Sequence, residues 1–159
     1  MLPVMHALRA RGFPVATVAG QPAAEMFQDA GFAGAVSSGS WAEHLALAVE
    51  SIRIYAPELI VVATSMKAGV DAALVRAARE VGLPTVCVLD AWVNYRERFM
   101  GPDNGTLRPD AIPDLITVMD DFAVREMVDL GFASKALKVV GQPAFDAWVE
   151  QSVSEAWQR

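Results

Sequence analysis

The chain has 159 residues, of which 53% are hydrophobic and 20% are charged, and its formal net charge is −6. This length fits one domain, and an acidic chain without a basic stripe excludes nucleic acid as an expected partner. No apolar run approaches the roughly 20 residues of a membrane span, and the first residues lack the pattern of a signal peptide, so we expect a cytoplasmic protein. A lone Cys87 excludes an intrachain disulfide, and two scattered histidines predict no metal site.

Helix-like and strand-like segments alternate along the chain. Helical patterns cover residues 2–11, 23–30, 41–55, 70–81 and 122–130. Short runs rich in Val, Ile and Leu cover residues 15–19, 35–36, 59–63, 85–89, 115–118 and 137–140. Apolar runs without alternation are typical of strands buried on both faces, and their succession with helices indicates right-handed βαβ units. The sequence therefore predicts a single α/β domain over residues 1–146, with a three-layer Rossmann-like parallel sheet and helices on both faces, followed by a helical tail over residues 147–159.

Several helix ends carry recognisable signals. Four helical segments end in a glycine that precedes an apolar residue, namely Gly12, Gly31, Gly82 and Gly131. A glycine just past a helix can adopt the left-handed conformation that closes the last turn, so we interpret all four as C-terminal caps. Ser40 and Glu43 have the spacing of a capping box, and Asp120 or Asp121 is expected to cap the helix that follows. Residues 100–113, rich in proline and glycine, are expected to form a long loop.

The most unusual segment follows the predicted strand at 85–89. It brings a carboxylate, an amide, two aromatic rings and two guanidinium groups together on Asp90, Trp92, Asn94, Tyr95, Arg96 and Arg98. Ligands bind beyond the carboxyl ends of parallel strands, where rings can stack on a sugar or base and guanidinium groups can bind phosphate. Asp90 can accept hydroxyl protons or act as a base. The alternative is structural, with Trp92 and Tyr95 covering the sheet edge while Glu97 pairs with an arginine.

Other candidate ligand-binding residues follow the remaining strands. They are Thr64, Ser65, Asp120 and Gly141. The pair at 64–65 precedes a helix, where free backbone N–H groups attract anions, although a plain helix cap explains the pair at least as well. Neither a GxGxxG nor a Walker sequence is present, so no standard phosphate loop is expected. Because His6 and His44 lie within helical segments, no histidine-based triad is expected either.

Three stretches of the chain have counterparts in a known family. They cover residues 2–12, residues 57–65 with 77–85, and residues 113–118 with 139–146. Together they resemble the N-terminal half of GT-B-type glycosyltransferases and of the related UDP-N-acetylglucosamine 2-epimerases, over nearly the whole chain. The most specific part is Gly141-Gln142-Pro143, which is similar to the Val-x-Gly-Asn-Pro-x-x-Asp pattern at the crossing into that family's second domain.

The resemblance implies that a nucleotide sugar or a sugar acceptor binds at the carboxyl ends of the strands, with Asp90 as the candidate base. No cofactor is expected. In that family a second domain supplies most of the nucleotide-sugar site. We therefore expect that the chain is not catalytic alone and needs a separate donor-binding domain. An alternative is a non-catalytic Rossmann-like module for ligand binding or assembly. A receiver-like domain is not expected, because paired acids after the first strand are missing.

The resemblance also implies a missing strand. The family begins with a central strand and a glycine-rich turn before its first helix, whereas here Met1 begins at the helix itself. Loss of a central strand exposes backbone donors and acceptors and apolar surface. We therefore predict that the gap is closed either by strand rearrangement or by a second chain, as in a homodimer.

Overall fold

The computed structural model describes residues 1–66, 69–99, 107 and 109–146. The helices are α1 (Leu2–Ala10), α2 (Ala23–Asp29), α3 (Trp41–Tyr55), α4 (Val70–Glu80), α5 (Tyr95–Arg98) and α6 (Asp121–Asp129). The strands are β1 (Thr17–Gly20), β2 (Gly34–Ser37), β3 (Ile60–Val62), β4 (Thr85–Val88), β5 (Leu115–Val118) and β6 (Leu137–Val139). Short 3-10 turns cover Pro109–Ala111 and Ser134–Ala136. The helical tail expected at 147–159 and most of the loop expected at 100–113 lie outside the described residues.

Every strand pair is parallel, and the strands form two sheets. One sheet pairs β1 with β2, and the other has the order β3-β4-β5-β6. The predicted α/β, Rossmann-like class of a single small domain is confirmed. The sheet that we expected is divided in the described residues, because neither β1 nor β2 pairs with any strand of the four-stranded sheet. Strand rearrangement therefore does not close the predicted gap within the described residues, and closure by a second chain stays a prediction.

The helix-end signals of the sequence are realised in the structure. In α3, which has its predicted bounds, the Ser40 side chain accepts the Glu43 N–H while the Glu43 carboxylate accepts the Ser40 N–H at 2.6 Å. The four predicted glycine caps have φ angles of 85°, 79°, 70° and 96° in chain order. These angles lie in the left-handed region that glycine enters without a steric penalty. The short α5 was not predicted, and it begins after Asn94, whose φ of 60° turns the chain out of the preceding loop.

The hydrophobic core surrounds the four-stranded sheet. Ile116 and Val118 of β5, Leu89 after β4 and Met127 of α6 are at most 1% exposed. Helix α4 packs against β1, β3, β4 and α3 and is buried along most of its length. Val18 of β1 packs against the same core, so the two sheets share one apolar interior. This arrangement fixes the carboxyl ends of β3 to β6 side by side.

A carboxylate joins the beginnings of β4 and β5. The Thr85 N–H and hydroxyl each donate to Asp114 Oδ2 at 2.8 Å, and Thr85 Oγ1 accepts the Asp114 N–H at 2.9 Å. Thr85 is only 3% exposed, so the Asp114 carboxylate, rather than water, is the partner of its N–H and hydroxyl in the folded chain. The Thr85 hydroxyl, with a smaller contribution from its N–H, holds the pKa of Asp114 below its usual value of 3.8. The carboxylate form is therefore favoured in the folded state.

Replacing Asp114 with alanine is expected to lower the free energy of unfolding by about 1–3 kcal/mol at pH 7, the cost of leaving buried donors of Thr85 unpaired. Because folding lowers the pKa of Asp114, the stabilisation is present above pH 3.8 and is lost as the pH falls below it. Urea titrations at pH 7 and pH 3 should show the two proteins converging at the lower pH. The exposed Glu58 provides the control, because Glu58→Gln at a surface site should leave the free energy of unfolding at pH 7 within about 0.5 kcal/mol of the wild type. A deficit of Asp114→Ala that is equal at both pH values would contradict the account.

Candidate functional site

Polar and aromatic side chains from four adjacent strands meet beyond their carboxyl ends. We call this set the strand-end cluster, and its members are Thr64, Asp90, Trp92, Arg98, Asp120 and Gln142. Thr64 follows β3, Asp90 follows β4, and Asp120 follows β5. Because neighbouring parallel strands end at one edge, the sequence places these residues together before any side-chain contact is considered. The hydrogen bonds below connect them.

Arg98 is the centre of the first half of the cluster. Its Nη1 donates to Thr64 Oγ1 at 2.7 Å and lies 3.4 Å from Asp90 Oδ1, and its Nε donates to the Val93 carbonyl at 3.3 Å. The Arg98 side chain is 12% exposed, whereas that of Asp90 is 57% exposed. Arg98 therefore holds the ends of β3 and β4 together from inside, while the Asp90 carboxylate remains open to a ligand.

Trp92 is the centre of the second half. Its indole N–H donates to Asp120 Oδ2 at 2.8 Å, and its ring stacks on Phe145 with centroids 6.2 Å apart and planes 21° apart. Asp120 Oδ1 accepts the Ala123 N–H at 2.8 Å and so caps α6, as one of two expected choices. Both hydrogen bonds keep the pKa of Asp120 below its usual value, and the one from the Ala123 N–H has the larger effect. The cap thus holds the indole in place, and Trp92 as a whole residue is 36% exposed.

Gln142 connects the last strand to the cluster. Its side-chain N–H donates to the Asp90 carbonyl at 2.9 Å, although the two residues are 52 positions apart. Gly141, at a φ of 86°, supplies the left-handed turn that brings Gln142 back over the strand ends. Gly141 shapes the backbone and has no side chain with which to contact a ligand. The side chain here that can contact a ligand is that of Gln142. Gln142 and Phe145 were not among the candidate ligand-binding residues, but the Gly-Gln-Pro motif was the signal that could have found them.

The residues at the start of α4 have an internal partner. The Ser65 N–H and hydroxyl donate to the Asp71 carboxylate at 2.9 and 2.7 Å. The N-terminal cap of α4 is Gly69, which has no side chain to accept a hydrogen bond. An anion at this position would meet the negative charge of Asp71. The geometry therefore favours a structural role for Ser65 over the anion site considered from the sequence.

The remaining candidates of the segment separate into surface and core positions. Asn94 and Arg96 are exposed, and the Arg96 side chain has no hydrogen bond or ion pair with the described residues. Tyr95 is 4% exposed and belongs to the hydrophobic core. Its hydroxyl has no hydrogen-bond partner among the described residues, and burial, followed by Asp120 and Glu126, raises its pKa. The sequence predicted that the rings of Tyr95 and Trp92 share one site, but in the structure the Tyr95 ring packs into the hydrophobic core.

The chemistry of the cluster suits hydroxyl groups better than phosphate. Asp90 and Asp120 carry two negative charges, and the one positive charge inside the cluster, on Arg98, lies beside Asp90. Carboxylates and amide oxygens accept hydrogen bonds from hydroxyl groups, and an indole face can cover an apolar ring surface. Among the described residues, no group of three or more His, Cys, Asp or Glu side chains is placed to hold a metal ion. None of the described helices has the length and apolarity needed to cross a membrane.

Solved structures share this fold. UDP-GlcNAc 2-epimerase from Methanocaldococcus jannaschii matches with a TM-score of 0.66 at 15% identity, over 89% of this chain and 41% of that one. A co-structure of S. aureus MnaA with UDP matches with a TM-score of 0.66 at 17% identity, over 92% and 41% of the two chains. UDP-N-acetylglucosamine 2-epimerase from Rickettsia bellii matches with a TM-score of 0.57 at 15% identity, over 86% and 40%.

The chain has the fold of part of a UDP-GlcNAc 2-epimerase. This confirms the resemblance that the sequence indicated, at the level of fold. The chain spans about two fifths of the length of these enzymes, as expected for an N-terminal half. No protein-family model matches the chain, and none of the curated proteins matches it.

Replacing Asp120 with alanine is expected to lower the stability of α6 and to release Trp92. The change removes the acceptor of both the Ala123 N–H and the indole N–H. Urea denaturation followed by tryptophan fluorescence should show an earlier midpoint than Asp121→Ala, a matched change one residue later in the exposed first turn. Equal midpoints for the two variants would show that the Asp120 cap contributes nothing.

Proposed function

We propose that the chain is half of a sugar-nucleotide enzyme with a GT-B-like fold and that the strand-end cluster binds the sugar part of a nucleotide sugar or a sugar acceptor. The observation that carries the proposal is the connection of four strand ends through Arg98, Trp92 and Gln142 around the open carboxylate of Asp90. The fold supports the same class, because the solved neighbours include UDP-GlcNAc 2-epimerases. One neighbour is a co-structure with UDP, which supports a nucleotide as part of the ligand.

The charges of the strand-end cluster determine which part of the ligand it can bind. The exposed carboxylate of Asp90 accepts hydrogen bonds from sugar hydroxyls and is the candidate base, and the indole of Trp92 covers the apolar face of the ring. The cluster has no available positive charge to bind a diphosphate, since the guanidinium of Arg98 already faces Asp90. Arg96 is exposed on α5. It is the positively charged residue nearest to Arg98 in the sequence, and its side chain forms no ion pair with a described residue. A separate donor-binding domain is therefore required for most of the nucleotide contacts and for catalysis.

A thermal-shift screen tests this function. The purified chain is heated with the diphosphates of uridine, cytidine, guanosine and adenosine, with their sugar conjugates, and with the free sugars. We expect a sugar conjugate to raise the melting temperature and the matching free diphosphate to raise it less. A ligand at 100 times its dissociation constant adds about 2.7 kcal/mol of stability.

Matched variants assign the shift to the cluster. Trp92→Ala should remove the stabilisation by the sugar conjugate, whereas Val93→Ala, at an exposed neighbour, should retain it. No shift with any compound would contradict the sugar-binding function. Absence of a shift together with a dimeric mass would favour the alternative, a non-catalytic Rossmann-like assembly module.

A further inference from the structure

Strand β2 has one edge that no described strand covers. Among the described residues, β2 pairs with β1 and with no other strand. Alternate residues of a strand direct their N–H and C=O groups to opposite sides, so those of every second residue of β2 point away from β1. Gly34 is exposed and Val36 is 55% exposed, so another strand can reach this edge.

The free edge of β2 lacks the features that keep exposed strands from pairing. Natural proteins protect such edges with lysine, with proline or with bulges. The edge strand β6 of the other sheet reads Leu-Lys-Val and so carries a lysine. In contrast, β2 reads Gly-Ala-Val-Ser, and its flanking residues Ala33 and Ser38 are also uncharged. Two copies of this acidic chain can therefore approach through β2 without bringing charged side chains of the strand together.

One face of β2 combines an open position with an exposed side chain. Gly34 and Val36 lie on the same face, because side chains alternate along a strand. A Cβ at position 34 would overlap Thr17, so only glycine fits there. A cavity of about 160 Å³ adjoins both residues and is bordered by residues of β1, β2 and α2. An open position therefore lies two residues from an exposed valine.

We propose that β2 pairs antiparallel with β2 of a second copy of the chain, about a two-fold axis that passes between the two Ala35 residues. In this register Val36 of each copy lies opposite Gly34 of the other on the same face, about 5 Å away. The valine then covers the cavity beside the glycine, which has no side chain to obstruct it. On the opposite face the two Ala35 side chains meet, and both are small. The interface is isologous, because each copy contributes the same strand.

The contact between the two strands is short. We therefore expect a weak dimer whose population depends on concentration, as is typical of interfaces of small area. The dimer uses the edge of β2 that points away from β1, so it is distinct from closure of the gap between the two sheets. It is also independent of the proposed sugar binding.

Analytical ultracentrifugation over a concentration series tests the proposal. The full chain should approach twice its mass of 17.1 kDa as its concentration rises. Val36→Lys should weaken association at least tenfold, because it places a charge against the uncharged edge of the partner. The control Val139→Lys adds the same charge to β6, where Val139 is 40% exposed, and should associate like the wild type. A monomeric mass at every concentration would overturn the proposal, as would a dimer that Val36→Lys weakens no more than Val139→Lys does.

Disulfide cross-linking tests the register of the two strands. In Ala35→Cys the two introduced thiols meet at the axis, where opposite Cα atoms are about 4.5–5.5 Å apart, within the range of a disulfide. In the control Ala33→Cys the two thiols are about 13 Å apart along the strands, four residues at about 3.3 Å each, which is too far. The natural Cys87 is 0% exposed and should not react. Under mild oxidation Ala35→Cys should form a covalent dimer at least tenfold faster than Ala33→Cys, and equal rates would overturn the proposal.

Discussion

Arg98→Ala is expected to weaken binding of the sugar ligand at least tenfold and to lower the stability of the folded chain. The guanidinium donates to Thr64 and faces Asp90, so its loss frees the ends of β3 and β4 from each other. Removing hydrogen bonds to a charged group costs about 1–3 kcal/mol. The affinity falls because the Asp90 carboxylate is no longer held in one place, and a tenfold loss corresponds to about 1.4 kcal/mol. Calorimetric titration below the unfolding temperature measures the first effect, and urea denaturation measures the second.

Arg96→Ala is the matched control for this prediction. Arg96 lies on the same short helix and is exposed, and its side chain forms no hydrogen bond or ion pair with the described residues. Its replacement should leave the free energy of unfolding within about 0.5 kcal/mol of the wild type. The sequence analysis gave Arg96 and Arg98 the same role. In the structure Arg98 is a positioning residue and Arg96 is a surface residue. If Arg98→Ala bound ligand as tightly as the wild type, the role assigned to Arg98 would be wrong.

Ile116→Ala is expected to have the largest effect on stability, a loss of about 2–5 kcal/mol. Ile116 is 0% exposed in β5, the strand between β4 and β6. Truncation removes apolar contacts and leaves a cavity that the surrounding strands and helices cannot fill. Natural domains have only about 5–15 kcal/mol of total stability, so the variant should unfold at a much lower urea concentration.

The same substitution at a surface site provides the control. Ile54 lies near the end of α3 and is 59% exposed. Ile54→Ala should change the free energy of unfolding by no more than about 0.5 kcal/mol. Similar losses for the two variants would show that the four-stranded sheet is not the centre of the core.

Local signals made much of the fold predictable. The capping box at Ser40 set the start of α3, and glycines such as Gly31 and Gly82 marked helix ends because only a left-handed residue closes those turns. Apolar runs indicated strands that are buried on both faces. No local pattern recorded the division into two sheets, because the order of strands depends on long-range pairing, and only the resemblance, through its missing strand, pointed to a gap.

The candidate site was predictable by position but not by role. Residues after each strand could be placed at one edge of the sheet from chain order alone. Whether a side chain then points inward or outward depends on a few backbone angles, such as the φ of 60° at Asn94 that precedes the buried Tyr95. Partners far apart in sequence, such as Gln142 and Asp90, meet only because the strands lie side by side. For these reasons the predicted site included Tyr95 and lacked Gln142.

Binding of a nucleotide sugar at the strand-end cluster can be tested by a nuclear magnetic resonance titration of the isotope-labelled chain with UDP-N-acetylglucosamine. We expect saturable shifts at the Trp92 indole N–H, the Asp90 amide and the Gln142 side-chain amide, with little change at Thr85 at the opposite end of β4. Absence of shifts at the strand-end cluster, or shifts confined to the other end of the sheet, would contradict the claim that this cluster binds the sugar of a nucleotide sugar.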